Sequence, residues 1–145
     1  FRTGWLDMPD DAPRFPFGFA LGYGQVNYGA PSLSQDSAEA AQTVELRITI
    51  KNTGPHEVIE TVQLYASDPV ARRTLPGRAL IDFQQVTLAP GQSCEVVFAI
   101  RAEQFAYPVA PSLEAAEWVH DPGLIQLHVG PNSRDTQTVE LTWQN

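Results

Sequence analysis

The sequence predicts an all-β fold, an antiparallel two-sheet sandwich of about seven strands. Three observations predict it. Apolar and polar residues alternate with period two in several segments, turn signals separate these segments at intervals of roughly ten residues, and no segment keeps a helical period. The 12 prolines among 145 residues also fit a chain with many connections.

The alternation places the individual strands. The cleanest segment is 43–51, and segments 25–28, 58–66, 79–88, 94–101, 124–129 and 136–143 complete the set. Residues 52–55 are expected to form a turn in which Asn and Gly tolerate positive φ. The inward-facing residues are expected to be Val44, Leu46, Ile48, Ile50, Val58, Val62, Leu64, Ala66, Leu80, Phe83, Val86, Leu88, Cys94, Val96, Phe98, Ile100, Ile125, Leu127, Val129, Val139, Leu141 and Trp143.

Other stretches depart from a clean alternation. Residues 29–42 are expected to form a loop, and 102–122 a connection with a short helical turn at 113–117. The parity of the segment 58–66 breaks near 59–61, which indicates a β-bulge or a twist there. Polar residues at outward strand positions are expected to be exposed; they include Glu60, Gln63, Tyr65 and His128.

Composition limits the classes of function. A net charge of -8, from 9 Lys and Arg against 17 Asp and Glu, argues against a nucleic-acid partner. The single cysteine, Cys94, forms no intrachain disulfide, and its alternating strand favours a buried inert thiol over a nucleophile. The spacing of His56, His120 and His128 predicts no metal site. We expect no cofactor, and no apolar run long enough for a membrane span is present.

The length is that of one domain, residues 14–145, preceded by a connecting arm, residues 1–13. The chain begins at Phe1 without Met, so we expect a fragment or processed piece of a longer protein. Trp5 in the arm is either an interdomain anchor or a loosely packed surface side chain. Residues 14–28 are rich in aromatics and glycines, and Pro16 holds Phe15 extended. This segment is therefore predicted to dock on a neighbouring surface.

Several motifs occur in colinear order along the chain. Residues 15–23, FPFGFALGY, are similar to a PFGxGLSYT signature; residues 52–69 to an NTG…EVVQLYVSDP block; residues 75–83 and 88–93 to RPxKxLxGF and LxPGES. Trp118 with residues 123–130 is similar to a W…GxYxxxVG ending. Together these motifs resemble the C-terminal, fibronectin type III-like domain of glycoside hydrolase family 3, the β-glucosidases and β-xylosidases.

The resemblance implies a non-catalytic domain that docks on catalytic domains of the same or a processed chain. It implies a parent enzyme that releases terminal β-linked glucose or xylose from non-reducing ends, and it favours a periplasmic or secreted location. Glycoside hydrolysis normally needs two carboxylates flanking the scissile bond. In the family these lie on other domains, and Glu45, Glu60, Glu95 and Glu140 occupy presumed outward positions here. We therefore expect no catalytic residue in this segment, and Phe15, Pro16, Phe17 and Tyr23 as docking residues.

A stand-alone module that binds carbohydrate or protein is the alternative. Trp5, Tyr107 and Trp118 fall outside the expected core alternation. Exposed aromatic rings beside polar groups could stack on sugars. The same residues could instead fill an interface with neighbouring domains.

Overall fold

The computed structural model describes residues 13–22, 24–69, 77–109 and 117–144. Nearly all of the regular structure in these residues is β. The elements are β1 (Val26–Tyr28), β2 (Ser32–Leu33), β3 (Ser37–Glu39), β4 (Thr43–Asn52), β5 (Val58–Ser67), β6 (Ala79–Leu88), β7 (Ser93–Arg101), a 3-10 helix (Ala102–Phe105), β8 (Tyr107–Val109), β9 (Glu117–Val119), β10 (Gly123–Gly130) and β11 (Gln137–Gln144).

Two main sheets make up the fold, as the sequence predicts. In the four-stranded sheet, β4 pairs with β7 along one edge and with β1 and β2 along the other. The five-stranded sheet has the order β3-β11-β10-β5-β6, antiparallel except for the parallel β3–β11 pair. Strands β8 and β9 form a separate antiparallel ribbon. The β-sandwich is therefore confirmed, with eleven strands in the described residues where about seven are expected.

The core lies between the inner faces of the two sheets. Most of the expected inward residues are buried there, and four of them, Val58, Val86, Cys94 and Val139, are partly buried and pack against it. Period two therefore predicts this core well, because each strand buries one face. Among the expected inward residues, the buried ones are Val44, Leu46, Ile48, Ile50, Val62, Leu64, Ala66, Leu88, Val96, Phe98, Ile100, Ile125, Leu127, Val129, Leu141 and Trp143.

The expected core positions of Leu80 and Phe83 are wrong, because both side chains are exposed. Phe83 has the opposite parity to the buried Leu88. The pairing of β5 with β6 shifts at Leu64 and Tyr65, whose partners are Asp82 and Leu80, so Ile81 is left as an extra residue. This bulge turns Leu80 to the outer face. The irregularity therefore lies here and not near residues 59–61.

Two loop expectations are also corrected. Residues 29–42 contain strands β2 and β3, which pair with β4 and β11. No residue of the turn at 52–55 has a positive φ. Among the described residues, positive φ occurs only at Gly18, Gly91 and Gly123. The turn at 89–91, where a hairpin is expected, has Gly91 at φ 75° but joins β6 to β7, which lie in different sheets and form no hairpin. The arm at 1–12 and most of the expected helical turn at 113–117 lie outside the described residues, and Glu117 belongs to β9.

Glu60 is half-buried at the end of the core, although an exposed position is expected. It has the inward parity of β5, and its Oε1 accepts a hydrogen bond of 2.6 Å from the Tyr28 hydroxyl. Burial and the adjacent Glu60 carboxylate raise the pKa of Tyr28. The pair thus ties β1 to β5 across the sandwich.

Candidate functional site

Three acidic residues at outward strand positions, Glu45, Glu95 and Glu140, form structural contacts. Glu45 and Glu95 both pair with Arg47 on the exposed face of the four-stranded sheet. Glu140 accepts a 3.1 Å hydrogen bond from Gln126. No group of three or more His, Cys, Asp or Glu that could hold a metal ion occurs among the residues that are described. In the same ranges, no helix is long and apolar enough to cross a membrane.

The docking segment, defined as residues 15–22, lies against the outer face of the five-stranded sheet. Its first turn closes through a 3.0 Å hydrogen bond from the Phe19 amide to the Pro16 carbonyl. Gly18 occupies the third position of this turn at φ 77°, the left-handed region that favours glycine. Pro16 is buried beneath the turn. Proline and glycine therefore fix the path of the segment at its start.

Gln63 and Tyr65 of β5 hold this turn on the sheet. Gln63 Nε2 donates hydrogen bonds to the carbonyl oxygens of Gly18 at 3.0 Å and Pro131 at 2.6 Å. The Tyr65 hydroxyl hydrogen-bonds Gln63 Oε1 and lies 3.3 Å from the Phe17 carbonyl oxygen. Both side chains face outward as expected but are buried, because residues 17 and 18 cover them. Burial also raises the pKa of Tyr65.

The β10–β11 turn supports the segment from its other side. The Ser133 amide donates a 2.9 Å hydrogen bond to the Phe17 carbonyl. Arg78 Nη1 donates to the Ser133 carbonyl at 2.5 Å and to Thr136 Oγ1 at 3.0 Å. Arg134 donates to the Pro13 carbonyl. The backbone of the docking segment is thus fixed by several independent hydrogen bonds.

The aromatic rings of the same segment remain exposed. Phe15 is 62% exposed and Phe17 65% exposed. Phe17 meets the Tyr65 ring edge-on at 6.4 Å between centroids, and Phe15 lies 5.4 Å from Phe19. Tyr23, the fourth expected docking residue, lies outside the described residues. A fixed backbone that carries exposed rings is an arrangement suited to contact with another surface.

Sequence reasoning missed the apolar residues of β5 and β6 that share this face. Ile59, Leu80 and Phe83 are all exposed. Phe83 pairs directly with Gln63, and Leu80 with Tyr65, so both lie beside the docking segment. A strict count of parity from Leu88 would have placed Phe83 on the outer face. The position of Leu80 depends on the bulge and has no signal in the sequence.

The two described residues expected at a glycan contact, Tyr107 and Trp118, differ in exposure. Tyr107 is only 6% exposed, and its hydroxyl donates to Asp121 Oδ2, so the expectation that it offers an exposed ring is wrong. Trp118 is 68% exposed and pairs with Pro108 in the β8–β9 ribbon. Trp5 lies outside the described residues.

His128 is the other expected outward residue that is buried. It pairs with Tyr65 on one side and Thr138 on the other. Its Nε2 lies 2.8 Å from Ser67 Oγ, and its Nδ1 lies 2.8 Å from Thr138 Oγ1. Burial, with a smaller effect from the charge of Arg78, lowers the pKa of His128 to about 4.

Comparisons with known proteins agree on one family. The fibronectin type III-like domain model matches residues 60–133. A beta-xylosidase of Formosa agariphila is 33% identical over 141 residues, and beta-glucosidase BoGH3A of Bacteroides ovatus 29% over 131 residues. These matches cover 96% and 90% of this chain but only 19% and 17% of those enzymes, in their C-terminal parts.

Solved structures give the same result. A β-glucosidase of Erythrobacter marinus superposes with a TM-score of 0.88 at 30% identity, over 98% of this chain and 18% of that one. A β-glucosidase of Listeria innocua in complex with glucose gives a TM-score of 0.87 at 27% identity, over 99% and 19%. The chain therefore spans less than one fifth of the length of each of these four enzymes.

Proposed function

The chain belongs to the fibronectin type III-like domain family, and we propose that it is a non-catalytic docking domain of a family 3 glycoside hydrolase. The observation that carries the proposal is the docking segment, whose backbone is hydrogen-bonded to β5 and to the β10–β11 turn while its phenylalanine rings are exposed. Side chains of this kind lose exposed apolar area when they meet a partner surface.

The parent enzyme would release terminal β-linked glucose or xylose. Support comes from the printed names of the relatives, which are beta-glucosidases and beta-xylosidases. Those enzymes are more than five times as long as the matched region, so most of each chain lies outside it and can supply the two catalytic carboxylates. The role of this segment is then structural, and Phe15, Pro16, Phe17 and Tyr23 are its docking residues.

Hydrolysis of p-nitrophenyl β-glucoside and β-xyloside tests this function. The 145-residue chain alone should be inactive, and the same chain joined to its upstream catalytic region should be active. Robust hydrolysis by the chain alone would overturn the proposal. The acids described above as structural would then have to be examined as a catalytic pair.

Glycan contact is a second candidate, favoured by the exposed ring of Trp118. A flat, exposed indole face is suited to stacking on a sugar ring. Affinity electrophoresis of the full-length enzyme through gels containing soluble β-glucan or xylan measures such contact. Trp118→Ala should abolish any retardation while leaving the hydrolysis of p-nitrophenyl glycosides unchanged. Equal migration of the wild-type enzyme with and without polysaccharide would exclude this role.

A further inference from the structure

Exposed apolar side chains on the outer face of β5 and β6 adjoin the docking segment. They are Ile59, Leu80 and Phe83, and we call them the outer patch; Phe83 is 60% exposed. Strand β6 is the edge of its sheet, so the patch reaches the rim of the domain. Hollows flank the docking segment on this face, one beside Ile59 and one between Phe17 and Leu80.

Two arginines that have no carboxylate partner among the described residues border the outer patch. Arg78 lines the hollow between Phe17 and Leu80, and Arg134 lies in the adjacent turn. Within the described part of the chain, both guanidinium groups donate to carbonyl or hydroxyl oxygens and to no carboxylate. Asp135, next to Arg134 in the chain, accepts instead from Asn132. Although the chain has a net charge of -8, these arginines form no ion pair with any of the described residues.

The composition of this surface indicates what covers it. Aromatic residues and arginine are enriched in protein interfaces, and the charges of partner surfaces are complementary. A partner must therefore combine an apolar surface with carboxylates. A second copy of this chain does not fit this requirement, because both copies carry a net charge of -8 and would repel each other. More than four fifths of each relative named above lies outside the matched region, so in those enzymes a longer polypeptide adjoins the region that this chain matches.

We propose that the outer patch, with Arg78 and Arg134 at its rim, docks on a carboxylate-bearing apolar surface of the catalytic part of the parent chain. This inference rests on the proposed function and extends it, because it adds β5, β6 and two arginines to a contact otherwise assigned to residues 15–23. The docking segment and the outer patch then form one continuous interface.

Cysteine labelling in the full-length enzyme tests whether the patch is covered. Phe83→Cys and Gln85→Cys place thiols on the outer face of β6, and Thr49→Cys places one on the exposed face of β4. All carry Cys94→Ala, and mass spectrometry follows each labelled peptide. Both β6 thiols should react at least about tenfold more slowly than the β4 thiol. Equal rates at the three positions would overturn the proposal.

The labelling rate of Phe17→Cys distinguishes failure of this proposal from failure of the proposed function. A protected thiol at position 17 together with freely reactive thiols on β6 would overturn the extension and leave docking by the segment intact. Free reaction at all of these positions would overturn both. Protection on β6 that disappears on dilution would identify a second copy of the enzyme as the occupant, which also overturns the assignment.

A separate labelling experiment tests the role of the arginines. Arg78→Gln, Arg134→Gln and about 1 M NaCl should each accelerate labelling at Phe83→Cys, because each weakens attraction to carboxylates. Lys51→Gln, which removes an exposed cation from β4, should not. Rates unaffected by salt and by both arginine substitutions would overturn the carboxylate part of the proposal.

Discussion

At the scale of single residues, His128 couples the stability of the domain to pH. Its pKa in the folded chain is about 4, against 6.5 as the ordinary value. Between these values the unfolded chain binds the proton and the folded chain does not. The contribution of His128 to stability is therefore fully present above about pH 6.5 and is lost progressively as the pH falls to about 4.

His128→Gln tests this coupling, because glutamine keeps hydrogen-bonding capacity near Ser67 and Thr138 without titrating. The free energy of unfolding from urea titrations should fall less steeply for the variant than for the wild type between pH 6.5 and about 4.5. Measurements at pH 8 give the reference, since the histidine is neutral in both states there. Identical slopes for the two proteins would show that another group is responsible.

Two properties of Gly18 are required at its position, its positive φ and the absence of a side chain. A Cβ at this position would lie 1.9 Å from Gln63 Oε1 and 2.7 Å from the Tyr65 hydroxyl oxygen. Gly18→Ala should lower the free energy of unfolding by at least about 1–2 kcal/mol from backbone strain, and more from displacement of Gln63. Urea unfolding measures the loss.

Gly22→Ala is the matched control in the same segment. Its Cβ would have one neighbour, the Gly24 amide nitrogen at 3.9 Å, and its φ is unstrained. This change should be neutral or stabilising by up to about 1 kcal/mol. Equal losses for the two variants would contradict the role given to Gly18.

Alternation predicts the direction of a side chain but not what covers it. Gln63, Tyr65 and His128 lie on the outward side of their strands, as their parity requires, and are nevertheless buried. The cover over Gln63 comes from Gly18, 45 residues earlier in the chain. No local pattern in the sequence predicts this cover. Phe15 and Phe17 can therefore be predicted as docking residues, but the role of Gln63 and Tyr65 in holding the segment cannot.

At the scale of the elements, one buried amide joins β4 and β6 to the turn that precedes β5. Asn52 ends β4, and its Nδ2 donates to the Leu88 carbonyl of β6 at 2.9 Å and to the His56 carbonyl before β5 at 2.7 Å. Its Oδ1 accepts from the Gly54 amide at 2.9 Å. The motif at residues 52–54 therefore has a structural explanation different from the positive-φ turn that the sequence suggests.

Asn52→Ala removes these three hydrogen bonds from a site without solvent access. The free energy of unfolding should fall by about 2–4 kcal/mol, because buried carbonyl and amide groups lose their partner. Asn27→Ala, an exposed position in β1, is the control and should change it by less than about 0.5 kcal/mol. Urea unfolding compares the two. A loss below about 1 kcal/mol for Asn52→Ala would mean that water replaces the amide.

The longer strands were predictable and the shorter ones were not. Strands β4 and β7 each bury an alternating set of apolar side chains, so a period can be recognised. Strands β2 and β3 have two and three residues and are defined by hydrogen bonds to β4 and β11. A segment of that length contains no full period. The bulge at Ile81 is likewise set by the pairing of β6 with β5.

At the scale of the whole molecule, the proposed docking role concerns the surface that the domain leaves exposed. The sandwich core is closed by its own two sheets, whereas the outer face of β5 and β6 retains apolar area. Covering an exposed phenylalanine stabilises an association by about 1.5–3 kcal/mol. Substitutions on this face should therefore affect the full-length enzyme more than they affect the fold of the domain.

Phe17→Ser in the full-length parent makes that difference measurable. Its ring contributes exposed apolar area, while the hydrogen bonds that hold the turn use its backbone. We expect the thermal unfolding midpoint of the catalytic part to fall by a few degrees, since about 1 kcal/mol corresponds to roughly 2–4 °C for a large domain. Trp118→Ser, equally exposed on the β8–β9 ribbon, should leave that midpoint unchanged. If both substitutions shift the midpoint equally, or neither does, the catalytic part does not rest on the docking segment.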